Sequence, residues 1–216
     1  MTSKFSSRYT IPEDEGYEPG SNDEVLKNCL GIKTALEMNE IETQQLRDAE
    51  SELIQIFDQN HQFTAQDICN IHELWLGDVY PFAGKYRTVN MSKNGFPFAN
   101  PALIEKLMRN LEEKYLLKYT PCHSLDLNEL AHALGIVHVE FIIIHPFREG
   151  NGRVSRLLAN LMALQAGKPL LNFEAIDQIA HPEGFNKYIA AIQNSSKDND
   201  YLPIQEVFKD LLINSI

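Results

Sequence analysis

The residue types best able to do chemistry in this chain are gathered in one stretch, His145-Pro146-Phe147-Arg148-Glu149-Gly150-Asn151-Gly152-Arg153-Val154-Ser155-Arg156. Gly150 and Gly152 flank Asn151, and glycine lets successive backbone N–H groups point into one concavity. Where such a turn opens a helix, the helix N-terminus adds positive potential, and the pair suits a phosphate. Arg153 and Arg156 stand three apart, which places both on one side of a first helical turn. Their forked donors match phosphate oxygens. Glu149, an acid beside an anion site, makes sense with Mg²⁺ between them, because that ion takes one or two carboxylates together with phosphate oxygens and waters. His145, at the other end of the stretch, can take a proton from an incoming hydroxyl. Phe147 alternates with His145 and Glu149 and is expected to point into the core and pin the segment. These parts describe a hydroxyl attacking a phosphorus that is held by backbone, arginines and Mg²⁺. No Walker A loop, GxxxxGK(S/T), occurs in the chain, which removes the commonest other way of holding a nucleoside triphosphate.

The elements on either side must hold this stretch in place. Asp126 and Glu129 read as the start of a helix that carries Leu127, Leu130, Leu134, Val137 and Phe141 inward. Ile142-Ile143-Ile144 is apolar all round and should be buried. Pro146 disfavours a right-handed helical conformation at His145, so this helix should stop near Ile144. The next is expected from about Gly152 to Gln165, with Gly167 just past its end and Pro169 beyond. Upstream, Ser21-Asn22-Asp23-Glu24 reads as a capping box opening a mostly helical region to about residue 78. Ala35, Ile41, Leu46, Leu53, Ile56 and Phe57 form its apolar stripe, and Thr64 caps a helix through Trp75. Between residues 86 and 98 the rhythm turns strand-like around Asn94-Gly95, a strong hairpin signal, and predicts a small two-stranded flap. Asn100-Pro101 then restarts a helix whose Ile104, Leu107, Met108, Leu111 and Tyr115 share a face. Two more helices are expected over about 182–194 and 203–213.

Composition sets outer bounds. The chain has 216 residues and is 44% hydrophobic, enough for one sizeable core or for a core with a small satellite. A formal net charge of -11 with no basic run argues against a direct nucleic-acid ligand. Cys29, Cys69 and Cys122 are too scattered for a disulfide framework and fit a reducing cytosol. The first residues lack an apolar signal region, and no apolar run approaches the ~20 residues that span a bilayer. A cytoplasmic protein without membrane association is expected. His72-Glu73 lacks the second histidine of a zinc-binding helix, and His132 and His138 are off metal-ligand spacing.

The segment from His145 to Arg156 matches, at every fixed position, the HxFx(D/E)GNGRxxR signature of the Fic (Fido) family, which this chain therefore resembles. Tyr86 to Ala99 is similar to that family's target-docking flap. The likeness runs from about Val25-Leu26-Lys27-Asn28 to the C-terminal helices. It implies an all-α, Fic-type bundle of about eight helices with a β-hairpin flap, residues 21–216 forming the domain and 1–20 an extended N-terminal arm. It implies transfer of AMP from Mg-ATP to a Tyr, Thr or Ser hydroxyl of a target protein, with release of pyrophosphate. His145 would be the general base and Glu149 the Mg²⁺ ligand. Gly150, Asn151, Gly152, Arg153 and Arg156 would hold the nucleotide. Thr88, Val89, Asn90, Met91, Ser92 and Lys93 would dock the target as an added strand.

Family members carrying an inhibitory (S/T)xxxE(G/N) helix pair its glutamate with the residue here numbered Arg156, and this sequence contains no such match. The chain thus resembles members restrained by a separate small antitoxin protein, with restraint by a diverged internal segment as the other reading. Two rival functions stand beside AMP transfer. One is transfer of a different phosphate moiety, for which family members carry lysine where Gly152 stands. The other is a non-catalytic interaction module, which would have little reason to keep every ionisable residue of the signature.

Overall fold

In the computed structural model, residues 15–93, 95–123 and 125–215 are described. Residues 1–14 of the expected arm and Asn94 of the expected turn lie outside them.

Helix starts follow their caps. The Thr34 side chain accepts the Glu37 N–H and opens α1 (Ala35–Ile56). Thr64 and Asp67 cap each other across the first turn of α2 (Ala65–Leu76). Asn100 accepts the Ala102 N–H at the head of a 3₁₀ turn (Pro101–Leu103) that runs into α3 (Ile104–Leu111). A π-helical turn (Glu112–Leu116) leads from there into the short α4 (Leu117–Tyr119). Asp126 and Glu129 form the box that opens α5 (Leu127–Ile144). Next come α6 (Asn151–Gln165), a 3₁₀ turn (Phe173–Ile176), α7 (Pro182–Asp198) and α8 (Leu202–Asn214). The C-terminus of α6 closes as expected, with the Gly167 N–H on Leu164 and the Lys168 N–H on Ala163.

Over the described residues the chain is an all-α bundle with one small hairpin. At its centre, α5 packs against α6, α7 and α8 and buries Leu130, Leu134, Val137 and Phe141. It is long and apolar enough to cross a membrane by length and composition, yet most of it is buried in the bundle, as a core helix must be.

Three expectations fail. No helix begins at Ser21. Asn22 and Asp23 are both left-handed (φ 55° and 62°), and two such residues in succession cannot start a right-handed helix. The Ser21 hydroxyl instead bonds Val25, closing a loop whose ends meet at an isolated Tyr17–Leu26 bridge. The apolar stripe of α1 is also different: Met38, Glu42, Ala49 and Leu53 are buried, while Ala35 and Ile56 are exposed. A carboxylate in the stripe broke the hydrophobic pattern. The hairpin is shorter than its sequence suggests, pairing only Ser92 with Pro97 and Lys93 with Phe96.

Two buried histidines tie acid stability to this core. His138 bonds the Tyr188 hydroxyl at 2.7 Å, and burial, helped by nearby Arg156, holds its pKa down at about 3. Burial likewise lowers His72 to about 4. Between these values and the unfolded value near 6.5, the unfolded chain binds more protons, so stability is full above pH 6.5 and lost as pH falls below it. Urea unfolding should show stability dropping by roughly 1 kcal/mol per pH unit for each histidine between pH 6.5 and 5, the slope steepening toward about 1.4 as the unfolded imidazole becomes fully protonated. A flat profile across that interval would contradict the burial of neutral imidazoles.

Candidate active site

Between α5 and α6 the chain turns back on itself within six residues, and each residue of the turn has a partner. His145 ends α5 in a left-handed conformation (φ 51°, ψ 59°), its N–H on the Phe141 carbonyl. Pro146 disfavours the right-handed alternative. Phe147 is fully buried, as expected. The Asn151 side chain then closes the turn: its Oδ1 accepts the Phe147 N–H at 2.9 Å and its Nδ2 donates to the Phe147 carbonyl at 2.8 Å. Gly150 is left-handed (φ +80°), and a Cβ there would lie 2.6 Å from Trp75 Cζ3, so both conformation and space demand glycine. His72 supports the turn from below. Its ring stacks on Phe147 at 3.9 Å. Its Nδ1 accepts the Gly84 N–H at 2.8 Å, which leaves Nε2 protonated to donate to the Glu149 carbonyl at 3.2 Å.

The His145 imidazole lies flat against Phe98, with centroids 3.6 Å apart and planes 6° apart. Its Nδ1 is 3.2 Å from the Ile142 carbonyl, a contact that places the proton on Nδ1 and leaves Nε2 as an acceptor. Burial pushes its pKa down to about 4, opposed by the Ile142 bond and assisted by the positive charges of Arg87 and Lys93. A neutral imidazole with a free Nε2 is the form a general base needs.

At the other end of the turn, the N–H groups of Asn151 and Gly152 are the first two of α6 and have no intrahelical acceptor. Gly152 is exposed, and a Cβ on it would meet nothing within 4 Å. The fold itself therefore does not require glycine there; a ligand resting on the backbone would. Glu149 is half-exposed, and Oε1 takes both its contacts, from the Gly150 N–H at 2.7 Å and from Arg153 at 3.3 Å. Oε2 is thus available to a cation. Asn151 is almost fully buried and its side chain is committed to Phe147, so only its main chain can face a ligand.

The two arginines rest on different aromatic rings. Arg153 lies over the Trp75 ring at 4.5 Å and pairs with Glu42 at 2.7 Å, toward α1 and α2. Arg156 lies over Phe173 at 5.4 Å, with its Nε buried and without a hydrogen-bond partner among the described residues. A cavity of about 220 Å³ opens beside Glu149 and Arg153, with Met38, Glu42 and Tyr80 among its walls.

In the flap, Thr88, Asn90, Ser92 and Lys93 are exposed, and Val89 and Met91 are half-buried. Thr88 is also a fastening point. Its N–H and hydroxyl both donate to the carboxylate of Glu15, which is buried, and the Glu15 carbonyl accepts from Arg148 Nε at 2.9 Å. This end of the arm is packed rather than solvated. Four residues to which the sequence reading gave no role of their own in the site help to shape it: His72 (read only as half of an incomplete zinc pair), Phe98, Arg87 and Glu42. Glu42 accepts from Tyr80 at 2.6 Å through one carboxylate oxygen and from Arg153 through the other, and its carbonyl accepts from Trp75 Nε1. Their contacts with the turn and with Arg153 join residues at least 47 apart in sequence, which no local pattern announces.

A model of the Fic/DOC family matches residues 62–163. Among curated proteins, "Protein adenylyltransferase VbhT" of Bartonella schoenbuchensis is 32% identical over 157 residues, which is 68% of this chain and 32% of that protein. "Protein adenylyltransferase Fic" of Nematostella vectensis is 34% identical over 148 residues, 66% of this chain and 32% of that protein. "Probable protein adenylyltransferase Fic" of Salmonella typhimurium is 31% identical over 173 residues, 77% of this chain and 80% of that protein. The chain thus spans about a third of the length of the first two relatives. Among solved structures, the BepC protein of Bartonella tribocorum, crystallised with bound AMPPNP, superposes with a TM-score of 0.75 at 21% identity, covering 94% of this chain and 98% of that one.

The wall beneath Gly150 is open to a direct test. Gly150→Ala must adopt a left-handed conformation and displace Trp75, at a combined cost of roughly 2–5 kcal/mol. Chemical denaturation should register that loss, and a change below about 1 kcal/mol would show that Trp75 does not confine the turn.

Proposed function

The chain belongs to the Fic/DOC family, and from that premise we propose that it is a protein adenylyltransferase that moves AMP from Mg-ATP to a Tyr, Thr or Ser hydroxyl of a target protein. One observation carries the reading: a neutral imidazole with an open Nε2 stands at one end of the turn, and a bare helix N-terminus at Gly152 stands at the other.

The acceptor oxygen attacks the α-phosphorus as its proton passes to His145 Nε2. The bond from the α-phosphorus to its bridging oxygen breaks, and pyrophosphate leaves. The backbone of Gly150, Asn151 and Gly152 holds the phosphates, and Arg153 and Arg156 hold the β/γ end. The unpartnered Nε of Arg156 supports an anion there. Glu149 would hold Mg²⁺. Among the described residues no group of three or more His, Cys, Asp or Glu side chains is placed to bind a metal, and a lone carboxylate completed by phosphate oxygens and waters suits that ion. When bound it supplies neutralisation of phosphate charge. Positioning and charge then account for most of the rate, as in phosphoryl transfer generally.

The target lays an extended segment along the flap, Thr88 to Lys93, as an added strand; main-chain pairing there tolerates sequence variety in the target. A small antitoxin protein is the second partner. We take residues 21–216 as the catalytic domain, with the preceding arm reaching the flap through Glu15. The reaction belongs in the cytoplasm, where the thiols of Cys29, Cys69 and Cys122 stay free.

Label from α-labelled ATP should enter protein and label from γ-labelled ATP should not; the reverse result would mean that a terminal phosphate moves instead. His145→Ala should lower the transfer rate by about 10²–10⁴-fold with Mg-ATP affinity nearly unchanged. A variant that transfers at the parent rate would remove His145 from the chemistry.

The pH dependence is unusual for a histidine base. A base of pKa near 4 remains unprotonated down to about pH 5, so transfer at pH 5.5 should nearly equal that at pH 7.5. An imidazole with an ordinary pKa would lose about tenfold over that interval. A tenfold fall, with the protein still folded, would show that the ring is not held neutral by its surroundings.

A further inference from the structure

Arg87 lies beneath the flap, almost fully buried, and is not part of the signature segment. Its guanidinium reaches four main-chain carbonyls. Nε donates to His145 at 2.7 Å, Nη1 to Val89 at 2.5 Å, and Nη2 to Ala99 at 2.7 Å and, more distantly, to Ile144 at 3.4 Å. Its own N–H donates to the Pro146 carbonyl at 2.8 Å. Two of these carbonyls belong to the C-terminus of α5 and its cap, where a helix leaves its last acceptors unsatisfied and favours a cation. The other two belong to the two arms of the flap, one before the hairpin and one after it. A second link runs beside it, from the Ala99 N–H to the Ile143 carbonyl at 3.3 Å.

We propose that Arg87 is a positioning residue for the transfer step: by bonding the His145 carbonyl and both flap arms at once, it sets the distance between the base and the strand that receives the target. The inference rests on the reading of His145 as the base and of the flap as the docking strand. Arg87 itself is placed to touch neither nucleotide nor target.

The chemistry of the side chain explains why arginine stands here. A guanidinium carries five N–H donors in a rigid fork, so one group can serve carbonyls that point at it from several directions. A lysine ammonium at the end of the same path has three donors on one atom and cannot span the flap arms and the helix end together. Arg87 also forms part of the electrostatic wall of the site. The charged groups facing the His145 ring are Arg87 and Lys93, both positive and both opposing its protonation. Loss of Arg87 would therefore loosen the ring, let the flap move relative to it, and ease protonation.

The test uses the full chain with Arg87→Lys and Arg87→Gln. Trp75, the single tryptophan, lies under Arg153 and beside Gly150, so its fluorescence reports nucleotide binding at the turn. We expect both variants to bind Mg-ATP within about twofold of the parent while kcat for transfer falls about tenfold or more, because misplacement of a base by even 1 Å is that costly. ¹⁵N signals of the His145 ring should move from the Nδ1–H tautomer toward a mixture in both variants, a readout that needs no acceptor protein. Parent-like kcat in Arg87→Lys overturns the proposal, as do parent-like ring signals in both variants. Loss of transfer in strict proportion to loss of nucleotide binding, or loss of the cooperative melt in both variants, also overturns it, because Arg87 would then serve the fold as a whole. Should the parent itself transfer no AMP, the reading of the reaction fails, and the ring signals still decide whether Arg87 orders His145.

Discussion

The two hydrogen bonds between the Asn151 side chain and the main chain of Phe147 are the constraint on which this site depends. They hold a sharp reversal between two core helices whose ends would otherwise carry unsatisfied backbone groups into the interior. With the reversal fixed, His145 must leave α5 in a left-handed conformation and Gly150 must enter α6 in another. The imidazole and the helix N-terminus then stand at the two ends of a turn of six residues. Phe147 anchors the turn by burying its ring, and His72 and Trp75 close the floor beneath it.

A buried polar turn of this kind is tolerable only if each of its groups is satisfied. The supporting groups arrive from distant parts of the chain. His72 of α2 takes the Glu149 carbonyl, and Glu42 of α1 takes Arg153 and Tyr80. Arg87 takes the carbonyl of His145, and Glu15 joins the flap to Arg148. Burial does a second task here. By disfavouring the charged imidazolium at His72, His138 and His145, it keeps all three rings neutral, and at His145 that is the state in which Nε2 can accept a proton. The same desolvation that makes the core sensitive to acid therefore keeps the His145 imidazole neutral across the neutral range.

Much of this could be read from the chain because its signals are local. The caps at Thr64, Asn100 and Asp126 and the stop at Gly167 act within one helical turn, and each appears where its sequence predicts. The helix break at His145 follows from Pro146 alone. What was not legible depended on tertiary partners. Ser21 to Glu24 has the composition of a helix cap, yet its hydroxyl finds Val25 and the backbone at Asn22 and Asp23 turns left-handed. Glu42 looks like a solvent-facing acid until Arg153 and Tyr80 are brought to it. Arg153 and Arg156 rest on Trp75 and Phe173, two rings far apart in the chain that the spacing of the arginines could not announce. Arg87 sits in a strand-like run that gives no hint of a side chain turned inward beneath the flap.

The decisive experiment is a crystal structure of the protein soaked with Mg²⁺ and a non-hydrolysable ATP analogue. Triphosphate density is expected over the amides of Gly150 to Gly152, with a metal bound to Glu149 and the α-phosphorus within reach of an oxygen that contacts His145 Nε2. A triphosphate seated elsewhere, with that helix N-terminus bare, would contradict the proposed reaction.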